Sequence, residues 1–391
     1  MSKKLVGLTV ALTTLSTALA GCGGGGDSAS GAGGDEIVIG AFSPLSGPAV
    51  SASSGIYATK AALDKVNDAG GIDGHKIKFI IKDDQFDPAK TPGVTRELVE
   101  TDRVSMLCGP QGSVPFGAVK DYLAARKIPT IVNAGAPTLA GEYSYLVSSP
   151  FDGVGAMLAQ FAVEDLDIDK VAIAYSDDAL GTSARDGAVR ILEADGLEPL
   201  GEIKYDITAT DFSSQAIQLK ATGADFVSIP AAQANVAGLV INAAEKIGYK
   251  PIWGLSYAAQ NKTLVDVTKG AIDGRAYFAT PYITEESETG AEYAATLAEY
   301  APDVEVNSGA TIAGYTIGEL CVDVLTKAVE AADGEVPTSA QIQETLSSYT
   351  ADNDYIQGID WSDEPDGAAA AQILQLKDGK YVESKPFAPL P

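Results

Sequence analysis

The strongest constraint on this chain is a rhythm. From residue 36 onward, short runs of Val, Ile, Ala and Phe alternate with longer stretches of helical periodicity. Runs near 37–42, 76–82, 104–108, 129–133, 171–175, 226–229 and 252–255 read as strands. A segment ending near Asn67 and those near 88–101, 113–126, 181–195, 233–247, 287–300, 308–332 and 338–349 read as helices, followed by a strand-rich tail. Strands that are apolar throughout belong inside parallel sheets covered on both faces, and parallel strands need helical crossovers. About 300 residues of β-α-β exceed one sheet, so the pattern predicts an α/β chain with two doubly wound parallel-sheet lobes.

Composition narrows the function. With 46% hydrophobic and 20% charged residues among 391, the chain is a packed body rather than a disordered one. Its 53 acidic residues outnumber 27 basic ones, a net charge of −26, which repels nucleic-acid backbones and anionic lipid headgroups. His75 is the single histidine, so a mechanism needing two imidazoles is excluded, and three cysteines cannot form a four-thiolate metal cage. No cofactor is implied.

The first thirty-five residues read as an export signal and a tether. Lys3 and Lys4 precede a mainly apolar run over residues 5–20, shorter than the ~20 apolar residues of a membrane span. The run ends in Leu19-Ala20-Gly21-Cys22, which resembles the bacterial lipobox. That resemblance implies a signal peptide over 1–21, cleavage before Cys22 and a diacylglycerol on its sulfur, with 22–35 as a Gly/Ser-rich tether. The expected location is extracytoplasmic, lipid-anchored to the cell membrane. Gly21, Gly23 and Gly26 match G-x-G-x-x-G only formally, because they neither follow a strand nor open a helix. Cys108 and Cys321 sit in apolar runs, and the reading favours two buried small hydrophobes over a disulfide.

Open α/β sheets bind ligands at the carboxyl ends of strands. Four loops after strands stand out by their Gly, Ser, Pro and Asn content: 43–54, 109–113, 133–137 and 176–181.

Several segments together resemble the leucine/isoleucine/valine-binding class of type I periplasmic binding proteins, the solute receptors of ABC importers. They are Ile39-Gly40-Ala41-Phe42-Ser43-Pro44-Leu45-Ser46-Gly47-Pro48, Asn67-Asp68-Ala69-Gly70-Gly71-Ile72-Asp73-Gly74, Lys82-Asp83-Asp84-Gln85-Phe86-Asp87-Pro88 and Gly358-Ile359-Asp360-Trp361. The resemblance implies a hinge of three crossovers, placed near Ser148, Thr280 and Ala368. Lobe 1 would then comprise 37–148 plus 280–367, and lobe 2 149–279 plus 368–391. Closure on a small ligand would signal occupancy to a permease and its ATPases. The expected form is a monomer.

The same resemblance suggests site residues. Ser113 falls where the family's serine meets a ligand carboxylate. Ala134 would offer backbone only, and Ala136 stands where the family has threonine. In the second lobe Leu180 replaces an aromatic residue, and Gln233 is the polar candidate in a loop that lacks the family's tyrosine. The acidic partner of an amino acid's ammonium should lie at Ser256 or Tyr257, and neither is acidic. Asp178 could substitute, though its position equally fits a helix cap. A buried ammonium without a carboxylate costs several kcal/mol. The expected ligand is therefore a branched-chain amino acid or a related small carboxylate or amide. One with an apolar or aromatic body suits Ser113, Tyr257 and Tyr282 better than an ordinary zwitterion.

Other classes fit less well. Gly254-Leu255-Ser256-Tyr257-Ala258 approaches a nucleophile elbow, but the only histidine precedes Ser256, leaving a hydrolase without its base. Asp83, Asp84 and Asp87 suit turn roles better than a cation site. A ligand sensor signalling to another membrane partner shares the fold and stays open.

Overall fold

The computed structural model describes residues 36–391 apart from 48, 285–286 and 352–354. The signal, the tether and Cys22 lie outside the described residues.

Chain order gives β1 Glu36–Ser43, α1 Ser54–Asp68, β2 Lys76–Asp83, α2 Thr91–Arg96, β3 Leu107–Gln111, α3 Ser113–Gly117, α4 Lys120–Ala125, β4 Thr130–Asn133 and β5 Ser144–Leu146. Then follow α5 Phe151–Gln160, β6 Val171–Ser176, α6 Ala179–Ala194, β7 Glu202–Tyr205, α7 Ser213–Thr222, β8 Phe226–Ile229, α8 Ala234–Lys246, β9 Ile252–Ser256, α9 Lys262–Thr268 and β10 Ala276–Thr280. The last part holds α10 Glu288–Tyr300, α11 Gly309–Ala331, α12 Ser339–Leu346, the short strands β11 Thr350–Ala351 and β12 Ile359–Asp360, then β13 Ala370–Lys377 and β14 Lys380–Pro389.

The first sheet has the order β2-β1-β3-β4-β5, and all its pairs are parallel. Alternation along β1 explains its burial on both faces. Ile37 and Ile39 join a core with α1, α10 and α11, while Phe42 joins Leu98, Phe116 and Leu123 on the other side. The second sheet has the order β14-β13-β10-β9-β8-β6-β7. Its strands β6 to β10 are parallel, as the sequence pattern requires. The tail departs from that pattern: β13 pairs antiparallel with β10, and β14 antiparallel with β13. A tight turn at Asp378 and Gly379, both at positive φ, returns the chain beside itself without a helical crossover.

Other boundaries differ from the pattern. Residue 104 is not yet strand; β3 starts at Leu107 and runs on to Gln111. The helix expected over 113–126 is broken at Val119, whose φ of −127° leaves the helical region. Cys108 and Cys321 form a disulfide, correcting the preference for two buried thiols. The reason is tertiary: β3 and α11 pack face to face, bringing the two Cα atoms to 6.3 Å across 213 residues of sequence.

Three chain segments link the sheets, and they run side by side. The Leu146 amide donates to the Pro365 carbonyl at 2.9 Å, and the Ala368 amide to the Val147 carbonyl at 3.3 Å. The segment leaving β10 joins them through a bridge between Tyr282 and Ile356 and through Gln372, whose Nε2 donates to the Tyr282 carbonyl at 2.5 Å.

Candidate functional site

Strand order fixes where a ligand can enter. It reverses between β1 and β3 in the first sheet and between β6 and β8 in the second, and in open α/β sheets the carboxyl ends of strands at such a reversal are where ligands bind. On the first lobe, Gln111 pairs with Asn133, and the Gly112 amide donates to the Asn133 carbonyl at 3.1 Å. This register sets the loop carrying Ser113 beside the loop carrying Ala134 and Ala136. Ser113 opens α3 and is half-buried, as is Ala136. The Ala134 side chain is buried in the core with Phe42 and Leu107. Ser43 at the end of β1 donates to Gln111 Oε1 at 3.3 Å, adding an amide to this edge.

Tyr257 and Tyr282 come together. Their rings meet edge to face with centroids 5.3 Å apart, and Tyr257 also stacks on Phe151 at 6.1 Å. The Tyr257 hydroxyl reaches the first lobe: a side chain added at Gly135 would meet it at 3.6 Å and the Phe151 ring at 2.8 Å. Ser148 Oγ lies 3.1 Å from the Tyr282 hydroxyl and 3.4 Å from Asn133 Oδ1. Burial pushes both phenols above their ordinary pKa, against the smaller opposing effect of the Ser148 hydrogen bond. Both stay neutral at physiological pH and can donate or accept, but neither can neutralise an ammonium.

The remaining candidates divide. Asp178 caps α6, its Oδ1 accepting from the Gly181 amide at 2.8 Å and the Ser176 hydroxyl at 3.0 Å. Its loop position therefore serves the helix, as the capping alternative anticipates. Leu180 lies half-buried in the first turn of α6, and Gln233 stands exposed at the start of α8 without a capping bond. Ser256 is wholly buried, and its hydroxyl has no partner among the described residues. His75 is in the turn before β2, where its Nε2 lies 2.9 Å from the Gly334 carbonyl. Asp83, Asp84 and Asp87 spend their carboxylates on turn amides and hydroxyls. Two open depressions adjoin the loop after β6: one of about 660 Å³ lined by Asp152, Asp177, Asp178 and Asp186, and one of about 460 Å³ on the β7 side lined by Asp177, Asp178, Lys204 and Tyr205. Both share Asp177 and Asp178, in the loop that follows β6 at the reversal point, where Lys204 pairs with Asp177 at 3.0 Å.

Sequence reasoning singled out the loops of Gln111 and Asn133 without giving either residue a role, missed Phe151, and named Ser148 only as a crossing point. A polar Ser-Ser pair before Pro150 in an otherwise apolar stretch was the available signal.

A periodic arrangement of this kind has relatives. The periplasmic binding protein family model matches residues 36–380, and the chain belongs to that family. Leu/Ile/Val-binding protein homolog 7 of Brucella abortus is 26% identical over 234 residues, 55% of this chain and 57% of that protein. The chain thus matches little more than half the length of such curated relatives. Among solved structures, a fatty acid ABC transporter substrate-binding protein from Thermomonospora curvata superimposes with a TM-score of 0.77 at 22% identity, over 91% of this chain and 92% of that one. The branched-chain amino acid transporter substrate binding protein LivJ from Streptococcus pneumoniae, in complex with isoleucine, gives 0.75 at 21% identity, over 90% and 100%. These likenesses carry the fold of two parallel-sheet lobes. The family places such proteins outside the cytoplasm, and no helix among the described residues is long and apolar enough to cross a membrane.

Proposed function

We propose that this chain is the substrate-binding lipoprotein of an ABC importer, held by a lipid on Cys22. Its ligand is a small carboxylate or amide with an apolar or aromatic body, taken by closure of two lobes. The lobes are 37–148 with 280–367 and 149–279 with 368–391, and they hinge on the three adjacent crossovers. Ser113 and the loop of Ala134 and Ala136 meet the polar head, while Tyr257 of the other lobe, backed by Tyr282 at the crossover, meets the body.

One observation carries the choice of ligand. Tyr257 directly follows β9, with its ring between Phe151 and Tyr282 and its hydroxyl against the Gly135 loop. By the family resemblance this is the position of the acidic partner of a ligand's ammonium, and a neutral phenol in its place disfavours a zwitterion. Calorimetric titration against leucine, isoleucine, valine and a panel of short-chain and aromatic acids tests the reading, with acids expected to bind. Sub-micromolar leucine binding with favourable enthalpy would overturn it. Labelling cells with a radioactive fatty acid tests the anchor: the label should be lost in Cys22→Ala.

A further inference from the structure

The loops following the first three strands form one unit. β2 is an edge strand with β1 between it and β3, so a residue after β2 must reach across the end of β1 to touch the loop after β3. The turn at 83–87 makes that reach. Asp83 accepts the Leu45 amide at 2.9 Å and the Ser46 hydroxyl at 2.5 Å, tying the turn to the loop after β1. Gln85 and Phe86 then both adopt φ of +58°. For a bulky aromatic residue this left-handed conformation is costly, whereas Asn, Asp or Gly would adopt it readily. Local acceptors hold it: Asp83 takes the Gln85 amide and Asp84 the Phe86 amide, each at 3.0 Å.

The result is a ring laid on Gly112. A β-carbon at Gly112 would stand 2.4 Å from Phe86 Cε2 and 2.6 Å from Cζ, and Gly112 itself has a φ of +98°. Only glycine meets both demands. Phe86 nevertheless stays 37% exposed, and Val114, on the other side of Ser113, is 64% exposed. Ser113 thus lies between two exposed apolar residues, Phe86 packed on Gly112 before it and Val114 next in sequence.

We infer that Phe86 is a specificity-determining residue, an apolar wall beside Ser113 against which the non-polar body of the ligand packs. The ring packs on Gly112 yet leaves more than a third of the residue exposed, and contact with an apolar ligand would cover that remainder. The inference rests on the acid-receptor reading above.

The test is calorimetric titration of the mature protein with acetate, hexanoate, phenylacetate and leucine. The wild type should prefer the better-binding of hexanoate and phenylacetate over acetate. Phe86→Asn suits the left-handed turn, so it should melt no lower than the wild type. It should lose about ten-fold in affinity for the apolar acid while acetate is unchanged. Phe86→Leu should retain most of the preference. Equal losses for acetate and the apolar acid, or no loss, would overturn the inference and leave the acid reading standing. A wild type that binds none of the acids sinks the acid reading, and the inference with it.

Discussion

The Tyr282 hydroxyl lies 3.1 Å from Ser148 Oγ, joining the segment that leaves β10 to the one that leaves β5. Both residues are buried, so the pair couples two of the three crossovers where any lobe movement must pivot. Tyr282→Phe should cost about 1 kcal/mol of stability, the usual net worth of one such bond. Hydrogen exchange should quicken at 146–149 and 280–284 while the sheet centres stay protected. Unchanged exchange at both segments would show that the bond does not brace the hinge.

The disulfide ties β3 to α11 over a long loop. Its removal should release the unfolded chain most, so Cys108→Ala with Cys321→Ala should lower stability by roughly 2–5 kcal/mol. Without reductant, the folded wild type should take up no iodoacetamide at these positions. Alkylation of the native protein would contradict the bond.

Helices α1 and α11 meet at a glycine. A β-carbon at Gly314 would stand 1.9 Å from the Gly55 carbonyl oxygen, which is backbone and cannot swing aside. Gly314→Ala must therefore separate the helices, at a cost of about 1–3 kcal/mol, readable as a lowered melting temperature. An unchanged melt would mean that the interface is looser than its geometry.

Asp83 and Asp84 titrate in opposite directions. Partial burial acts to raise the Asp83 pKa, but hydrogen bonds from Ser46, Gln85 and Leu45 outweigh it and hold the group below the ordinary range. Its contribution is present at neutral pH and is lost as pH falls through that lowered value, below about pH 4. Asp84 is raised by burial, with the Phe86 amide and Thr91 hydroxyl only partly offsetting it. The folded state therefore favours its protonated form, and Asp84 contributes most at low pH. Asp84→Asn keeps an acceptor for the Phe86 amide and drops the buried charge, so it should be near neutral at pH 7. Asp84→Ala should cost about 1–3 kcal/mol. Equal losses in the two variants would rule out this account.

A net charge of −26 acts on the whole body. Self-repulsion weakens as salt shortens the Debye length from about 10 Å at 0.1 M to about 3 Å at 1 M. Melting temperature should therefore rise by several degrees between 0.05 and 1 M sodium chloride, an experiment in which a flat response would be decisive against the charge account.

How much of this was legible depended on range along the chain. Continuous apolar runs such as 171–175 announced buried parallel strands, because nothing else needs Val-Ala-Ile-Ala-Tyr in a row. The edge strand β7 did not stand out, since Glu202-Ile203-Lys204-Tyr205 alternates polar and apolar over four residues. The loops at the cleft were readable from their small polar residues. What each side chain does there was legible only where the contact is local: the capping of Asp178 on Gly181 was anticipated, whereas Phe151 reaches Tyr257 from over 100 residues away. The cysteine pairing failed for the same reason, being set by packing rather than spacing.

The disulfide also sets an order of events. All five strands of the first sheet precede residue 147, yet α11, which covers one face and carries Cys321, ends only at Ala331. As the chain emerges, α1 covers only part of the apolar face of β1, β3 and β4, and Cys108 has no partner until Cys321 is made. The second lobe's β6 to β10 are made in the interval. The first lobe, although begun first, is the later to be completed, and until then its unfinished face is apolar surface open to aggregation.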